Sequence, residues 1–126
     1  MKQQKKSILS IDDNEMMLEL LEGILFNSEF KLYTSSDPNN GIRLAKKIKP
    51  DIILVDIMMP KMNGFMVSKV LKLNPETKNI PILFITSLNT KEDLLKAINS
   101  GGIDYIVKPF NSSDLLTRIR KILDHE

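Results

Sequence analysis

The sequence predicts an α/β fold built on one parallel sheet, and three observations support this prediction. Short apolar stretches alternate five times with longer amphipathic stretches, which is the pattern of repeated βα units. Two of the central stretches, 51–56 and 81–86, are almost continuously apolar, as is typical of strands that are covered on both faces. Polar side chains follow directly where several of these stretches end. The sequence therefore predicts an open sheet with helices on both sides.

Five strands are predicted, each of them short, apolar and bounded by polar or turn residues. They lie at 7–11, 31–35, 51–56, 81–86 and 103–107. Because parallel strands that are joined through helices connect by right-handed crossovers, the helices divide between the two faces of the sheet. We therefore expect a flavodoxin-like, doubly wound (βα)5 three-layer sandwich with a parallel five-stranded sheet in the order 2-1-3-4-5.

Capping residues predict where the five helices begin. Thr90-Lys-Glu-Asp93 resembles a capping box, with Asp in place of the usual Glu. Asn74-Pro75 is expected to stop the third helix, and Gly101 or Gly102 to supply the positive-φ residue that ends the fourth. The candidate caps are, in chain order, Asp13, Asp37 before Pro38, Asn63 before Gly64, Thr90 and Asn111.

Apolar residues at helical spacing predict which helix faces are buried. In the first helix the expected stripe is Met17, Leu21, Ile24 and Leu25; in the third it is Val67, Val70 and Leu71; in the fifth it is Leu115, Leu116, Ile119, Ile122 and Leu123.

Length and composition narrow the class of protein. The 126 residues suit a single domain, 1–126, and the absence of cysteine excludes disulfide, thiolate and cysteine–metal chemistry. No apolar stretch approaches the roughly 18 residues that cross a bilayer, and the basic N-terminus lacks the apolar segment of a secretory signal. The net charge of +2 comes without a run of five like charges or a basic patch interleaved with aromatic residues. We expect a cytoplasmic protein that binds neither membranes nor nucleic acid directly.

Charged and hydroxyl side chains stand at the ends of four predicted strands. Asp12 and Asp13 follow the first strand, Asp56 ends the third, Thr86 ends the fourth and Lys108 follows the fifth. The carboxyl ends of parallel strands share one edge of the sheet, which is where ligands bind in open α/β folds. Three carboxylates gathered there would repel one another without a cation, and a small cluster of oxygen ligands suits Mg²⁺. The pattern predicts a cleft for a divalent cation and a phosphoryl group.

Each of these residues also has a purely structural interpretation. Asp13 would serve as a helix cap alone, Asp56 as a loop aspartate and Lys108 as a surface lysine before a turn, where an X-Pro bond can be cis. The hydroxyl of Thr86 would cap a helix or support a turn. The convergence of all of them on one edge favours the chemical interpretation.

Four motifs taken together resemble the receiver domain of two-component response regulators, of the chemotaxis-regulator type. The resemblance covers residues 8–123, and its combined spacing is specific, although each motif alone is weak. Departures from the commonest family residues at Asn63, Met66, Ser87 and Gly102 lie outside the phosphorylation set. The motifs are Asp12-Asp13, Asp56-Ile-Met-Met-Pro60-Lys-Met-Asn-Gly64, Thr86-Ser87 and Asp104-Tyr105-Ile-Val-Lys108-Pro109-Phe110.

The resemblance implies a role for each site residue. Asp56 would accept a phosphoryl group from the phosphohistidine of a sensor histidine kinase or phosphotransfer protein. The phosphoryl group would accept a hydrogen bond from Thr86 and pair with Lys108. Such a protein promotes its own phosphorylation and slow dephosphorylation but is not a turnover enzyme. The implied Mg²⁺ ligands are Asp12, Asp13, Asp56 and the backbone carbonyl of Met58.

The resemblance also implies an output, in which Tyr105 matches the switch aromatic of the family. Phosphorylation would change the surface of helix 4, strand 5 and helix 5 and so control a downstream effector domain or protein. Asp104 and Arg118 match one ion pair of some receiver dimers. Leu94 stands about where a second pair would need a basic residue, so formation of a homodimer stays open. Two apolar residues, Met58 and Leu88, flank the expected approach of water and predict a long-lived phosphorylated state.

Three other classes of protein compete with this interpretation. A haloacid-dehalogenase-type phosphatase would carry Asp-x-Asp after its first strand, and neither Asp12-Asp13-Asn14 nor Asp56-Ile-Met58 fits that motif. A flavodoxin-like flavin carrier would need a hydroxyl- or glycine-rich phosphate loop after strand 1, where this chain has two acids. A phosphorylation-independent pseudo-receiver that acts as a protein-interaction module is the serious alternative, although every chemical position of the receiver pattern is filled.

Overall fold

The computed structural model describes residues 5–124, so the ends of the predicted domain 1–126 lie outside the described residues. Five strands alternate with five helices along the chain. Within residues 5–124, no helix is long and apolar enough to span a membrane. The strands are β1 (Lys6–Ile11), β2 (Phe30–Ser35), β3 (Ile52–Asp56), β4 (Ile82–Thr86) and β5 (Asp104–Val107), and the helices are α1 (Glu15–Leu25), α2 (Pro38–Ile48), α3 (Gly64–Leu73), α4 (Lys91–Asn99) and α5 (Ser112–Asp124).

The strands form one parallel sheet in the order β2-β1-β3-β4-β5, which confirms the predicted topology. Along the sheet, Ile11 pairs with Val55, Asp56 with Ile85, and Thr86 with Val107. Because all five strands run in the same direction, these last residues reach the same side. We call this side the carboxyl edge, and the side where the strands begin the amino edge.

Two hydrophobic cores cover the sheet and make it the middle of three layers. One core packs α1 and α5 against one face of the sheet, and the other packs α2, α3 and α4 against the opposite face. Alternate residues of a strand point to opposite faces, so Ile52 and Leu54 of β3 enter the first core while Ile53 and Val55 enter the second. All four of these side chains are completely buried, as expected for a central strand.

The cap of α1 differs from the prediction. The side chain of Asn14 accepts hydrogen bonds from the backbone N–H groups of Met16 at 3.0 Å and Met17 at 3.3 Å. The prediction that Asp13 caps this helix is therefore wrong, and α1 starts one residue later, at Glu15. Asparagine and aspartate cap helices about equally well, so residue type alone did not distinguish the two neighbours.

The other helix starts follow the prediction, with one difference of detail. Asp37, Asn63 and Asn111 each accept a backbone N–H near the start of α2, α3 and α5. Thr90 caps α4 by accepting from the backbone N–H of Asp93 at 3.1 Å. In a full capping box, the Asp93 carboxylate would accept the backbone N–H of Thr90. Here it accepts the Thr90 hydroxyl instead, at 2.6 Å.

The predicted stripe on α3 is wrong at one position. Val67 and Leu71 are fully buried, whereas Val70 is 38% exposed. The inward face of the helix runs through residues 64, 67, 68 and 71, and position 70 lies beside it at the rim. The glycine that ends α4 is Gly101, whose φ is +110°, and the Lys108–Pro109 peptide bond is cis.

Candidate functional site

Three carboxylates meet at the carboxyl edge of the sheet. Asp12 and Asp13 come directly after β1, and Asp56 is the last residue of the neighbouring strand β3. One oxygen atom from each carboxylate lies within 4.8 Å of those of the other two. Asp12 and Asp56 are buried, at 1% and 6% exposure, and Asp13 is exposed. The fold therefore brings together the three acids that the sequence places at separate strand ends.

Lys108 supplies the positive charge of the site. Its Nζ lies 3.5 Å from Asp56 Oδ1 and 3.7 Å from Asp12 Oδ2, and its side chain is 22% exposed. The backbone N–H of Lys108 donates to the carbonyl of Thr86 at 2.7 Å, which fixes the end of β5 beside β4. One ammonium thus faces two buried carboxylates.

Thr86 and Met58 lie on the loops that border the carboxylates. Thr86 is fully buried, and its hydroxyl oxygen accepts the backbone N–H of Leu88 at 2.9 Å. No described contact joins the Thr86 side chain to Asp56. Met58 is 59% exposed, and its Sδ accepts a hydrogen bond from Ser87 Oγ at 3.5 Å. The Met58 thioether therefore spans the gap between the loop after β3 and the loop after β4.

Burial raises the pKa of Asp12 to about 6, since water is largely excluded from this carboxylate. The backbone N–H of Asn14, which donates to Asp12 Oδ1 at 2.9 Å, acts in the opposite direction. The negative charge of Asp56 raises the Asp12 pKa further, and Lys108 lowers it. Desolvation and repulsion from Asp56 together raise the pKa of Asp12 more than Lys108 and the Asn14 N–H lower it. The single ammonium of Lys108 therefore does not balance the negative charge of the ionised cluster.

The donor set fits a small, hard cation. The ligand atoms are carboxylate oxygens, which Mg²⁺ prefers, and the exposed side of Asp13 leaves room for the waters that this ion retains. A small cavity of about 80 Å³ lies on the side of Asp13 that faces Asp37 and Lys61, and neither Asp12 nor Asp56 lines it. A much larger cavity of about 670 Å³ lies at the amino edge, away from the carboxylates.

Two residues support the site in ways that the sequence patterns did not identify. An added Cβ at Gly64 would lie 2.5 Å from the backbone oxygen of Asp56 and 2.7 Å from Ile57 Cα. Only glycine therefore allows the start of α3 to approach the end of β3 so closely. Asn14 caps α1 and also holds the Asp12 carboxylate through its backbone N–H. The Asn-Gly pair and the Asp-Asp-Asn run were visible signals for both.

The sequence and the fold match known proteins over nearly the whole chain. A family model described as the response regulator receiver domain matches residues 8–120. The chain is 37% identical over 115 residues to the response regulator PleD of Caulobacter vibrioides, covering 91% of this chain and 25% of that protein. It is 34% identical over 116 residues to the transcriptional regulator RpaA of a Synechocystis species, covering 92% of this chain and 48% of that protein.

A solved structure of a chemotaxis protein has the same fold as this chain. The chemotaxis protein CheY4 of Vibrio cholerae superimposes with a TM-score of 0.87 at 27% sequence identity, covering 92% of this chain and 97% of that chain. By contrast, this chain spans only a quarter to a half of the length of the two curated relatives.

Proposed function

The chain belongs to the response regulator receiver domain family, and we propose that it accepts a phosphoryl group on Asp56 from a phosphohistidine. The observation that carries this proposal is the buried carboxylate of Asp56, held 3.5 Å from Lys108 and clustered with Asp12 and Asp13. A positioned carboxylate can attack phosphorus and form an acyl phosphate, in which the bond to the departing histidine nitrogen breaks. We propose residues 1–126 as the receiver domain.

Mg²⁺ is the proposed cofactor, held by Asp12, Asp13, Asp56 and the backbone carbonyl of Met58. When bound, it supplies positive charge that screens the phosphoryl oxygens and the carboxylates from one another. The crowding of three carboxylates, two of them buried, supports this assignment, because a cation at the cluster would offset their mutual repulsion. Asn14 contributes by fixing the orientation of Asp12.

Lys108 and Thr86 are the proposed partners of the phosphoryl group. Lys108 Nζ already lies against Asp56 Oδ1, so it needs only a small movement to pair with a phosphoryl oxygen on that carboxylate. The Thr86 oxygen accepts from Leu88, which leaves its hydroxyl hydrogen free to donate. A turn towards the phosphoryl group would move the loop after β4 and change the surface of α4, β5 and α5.

The proposed donor is a sensor histidine kinase or a phosphotransfer protein, and the proposed target is an effector domain or protein. RpaA is described as DNA-binding, but this chain covers less than half of that protein, so nucleic-acid binding is not carried over. The Asp104–Arg118 pair forms within one chain at 3.2 Å, and Arg118 also donates to the carbonyl of Tyr105 at 2.9 Å. A homodimer through this pair would have to exchange those contacts between chains.

Phosphorylation at Asp56 is tested with a small phosphodonor and Mg²⁺, with acid-labile phosphate located by mass spectrometry. Wild type should take up one phosphate on Asp56, and Asp56→Asn should take up none. Asp51→Asn, at the residue just before the same strand, is the matched control and should behave as wild type. Stoichiometric labelling of Asp56→Asn at another residue would contradict the assignment, and unlabelled wild type would favour the pseudo-receiver.

A further inference from the structure

The thioether of Met58 occupies an unusual place for a methionine. It follows the proposed phosphoacceptor by two residues and is 59% exposed. Its sulfur accepts a hydrogen bond from Ser87 Oγ at 3.5 Å, and Ser87 directly follows Thr86. Because Asp56 pairs with Ile85 across β3 and β4, this contact crosses the mouth of the site between two adjacent strand ends.

Exposure separates Met58 from its neighbour in the sequence. Met59 is only 5% exposed and packs into the core, so an oxidant in water cannot readily reach its sulfur. Met16 and Met66 are also exposed, at 78% and 50%, but they lie on the helices α1 and α3. Met58 therefore combines an exposed side chain with a position at the proposed phosphorylation site.

We infer that Met58 is an oxidation site, and that its conversion to the sulfoxide shortens the life of the phosphorylated protein. The inference rests on the proposed phosphorylation of Asp56. The oxidant is a peroxide such as hydrogen peroxide. A sulfur lone pair attacks one peroxide oxygen, the O–O bond breaks, and the departing hydroxide takes the proton of the attacked oxygen and leaves as water. The sulfur loses two electrons and the peroxide gains them.

Oxidation changes what the side chain can do at the mouth of the site. A thioether is a weak acceptor that cannot hold a water molecule firmly, whereas a sulfoxide oxygen is a strong, polar acceptor. Hydrolysis of an aspartyl phosphate needs a water placed in line with the phosphorus. The sulfoxide oxygen can accept a hydrogen bond from such a water. It can also accept the hydrogen bond that Ser87 Oγ gives to the sulfur before oxidation. The phosphoryl group on Asp56 should therefore be lost faster.

The experiment follows the decay of acid-labile phosphate in the 126-residue chain. One sample is treated with dilute hydrogen peroxide, freed of oxidant and then loaded with a small phosphodonor and Mg²⁺, and a second sample is loaded without oxidation. Peptide mass spectrometry should find one added oxygen on Met58. Decay in the oxidised sample should be at least about threefold faster, a modest part of the effect of a positioned proton acceptor. Methionine sulfoxide reductase should restore the slower decay.

Matched variants separate Met58 from the other methionines. In Met58→Leu, peroxide should leave the decay rate at the value of the same variant before oxidation. In Met66→Leu, peroxide should accelerate decay as it does in wild type. An unmodified Met58 in a sample whose Met16 is oxidised would overturn the inference, as would an oxidised Met58 with unchanged decay. Reduced wild type without phosphate on Asp56 would overturn the proposed function and this inference together.

Discussion

The main charged side chains at the two edges of the sheet differ in sign and in solvent exposure. At the carboxyl edge, Asp12 and Asp56 are almost completely buried. At the amino edge, the exposed lysines Lys5, Lys31 and Lys49 surround the cavity of about 670 Å³. Burying a charge costs free energy unless it is compensated, whereas a lysine whose head stays in water costs little. The proposed site therefore lies at the edge with buried, undercompensated charge and not at the edge with the larger cavity.

Three of the charged groups at the amino edge have local structural partners. Asp51 Oδ2 accepts the backbone N–H of Ser7 at 2.7 Å, which joins the start of β1 to the residue before β3. Lys5 donates to the carbonyl of Ser28 at 3.3 Å, and the ammonium of Lys31 lies 5.2 Å from the ring centroid of Tyr33. These contacts account for Asp51, Lys5 and Lys31 without a ligand.

The largest contrast between the edges should appear in Mg²⁺ binding. Asp13→Ala should remove most of the binding that calorimetry detects in the unphosphorylated protein, because one of three clustered carboxylates is lost. Asp51→Ala, the matched change at the amino edge, should bind Mg²⁺ as wild type does.

Without metal, Asp13→Ala should melt at the wild-type temperature or above it, since repulsion is relieved and Asn14 provides the cap. A loss of several degrees would contradict this.

Two glycines test the crowding of the carboxyl edge. Gly64→Ala should lower the free energy of unfolding by about 2 kcal/mol, because the new methyl group meets backbone atoms that cannot move aside. Gly23, in the last turns of α1 as it runs towards the amino edge, has open space where an added methyl group would lie. Gly23→Ala should stabilise the protein by up to about 1 kcal/mol. Urea denaturation measures both changes, and equal effects would remove the contrast.

The life of the phosphorylated state tests whether apolar side chains protect the carboxyl edge. Leu88, two residues beyond Thr86, cannot hydrogen-bond a water, and Met58, two residues beyond Asp56, offers only a weak thioether acceptor. Met58→Asn combined with Leu88→Glu should speed dephosphorylation by about tenfold, the scale of a positioned water-orienting group. The measurement is loss of acid-labile phosphate after the phosphodonor is removed. Decay no faster than in wild type would show that these two side chains do not set the lifetime.

Most of the fold was predictable because its signals are strong and agree with one another. The apolar runs predicted a parallel sheet, and the flavodoxin-like class to which such sheets belong supplied the strand order. Because parallel strands share one edge, the polar residues that end the runs predicted the gathering of Asp12, Asp13 and Asp56. The position of Lys108 against Asp56 and Asp12 follows from the same rule. The chemical roles of these residues remain predictions.

The errors lie where two neighbouring positions suit the same structural role equally well. Asp13 and Asn14 are both good caps, and only the path of the chain decides which of them turns its side chain to the helix. Val70 is apolar and near the inward face of α3, but the exact rotation of the helix leaves it at the rim. The Asn63-Gly64 pair signalled the start of α3, but the packing of Gly64 against the backbone of Asp56 is a tertiary contact that this pair does not predict by itself.

The smallest expected effect belongs to an exposed ion pair beside the start of β2. Arg120 and Glu29 are joined by hydrogen bonds of 2.7 Å and 2.9 Å, yet about half of each side chain is exposed. The hydrogen bonds from Arg120 lower the pKa of Glu29 to about 2. A carboxyl group whose pKa is lower in the folded protein contributes stability at pH values above its ordinary pKa of 4.5. That contribution is lost as the pH falls from about 4.5 to about 2.

Glu29→Gln measures this contribution directly. The melting temperature of wild type should exceed that of the variant slightly at pH 6, by about one degree, because exposed pairs are screened by solvent. The difference should shrink as the pH is lowered towards 3 and should also shrink in 1 M salt, whose ions screen charges over about 3 Å. Glu19→Gln, an exposed acid on α1, is the control and should show no such trend. A large difference that persisted in high salt would mean that solvent exposure does not weaken this pair, and the contrast between buried and exposed charge would fail.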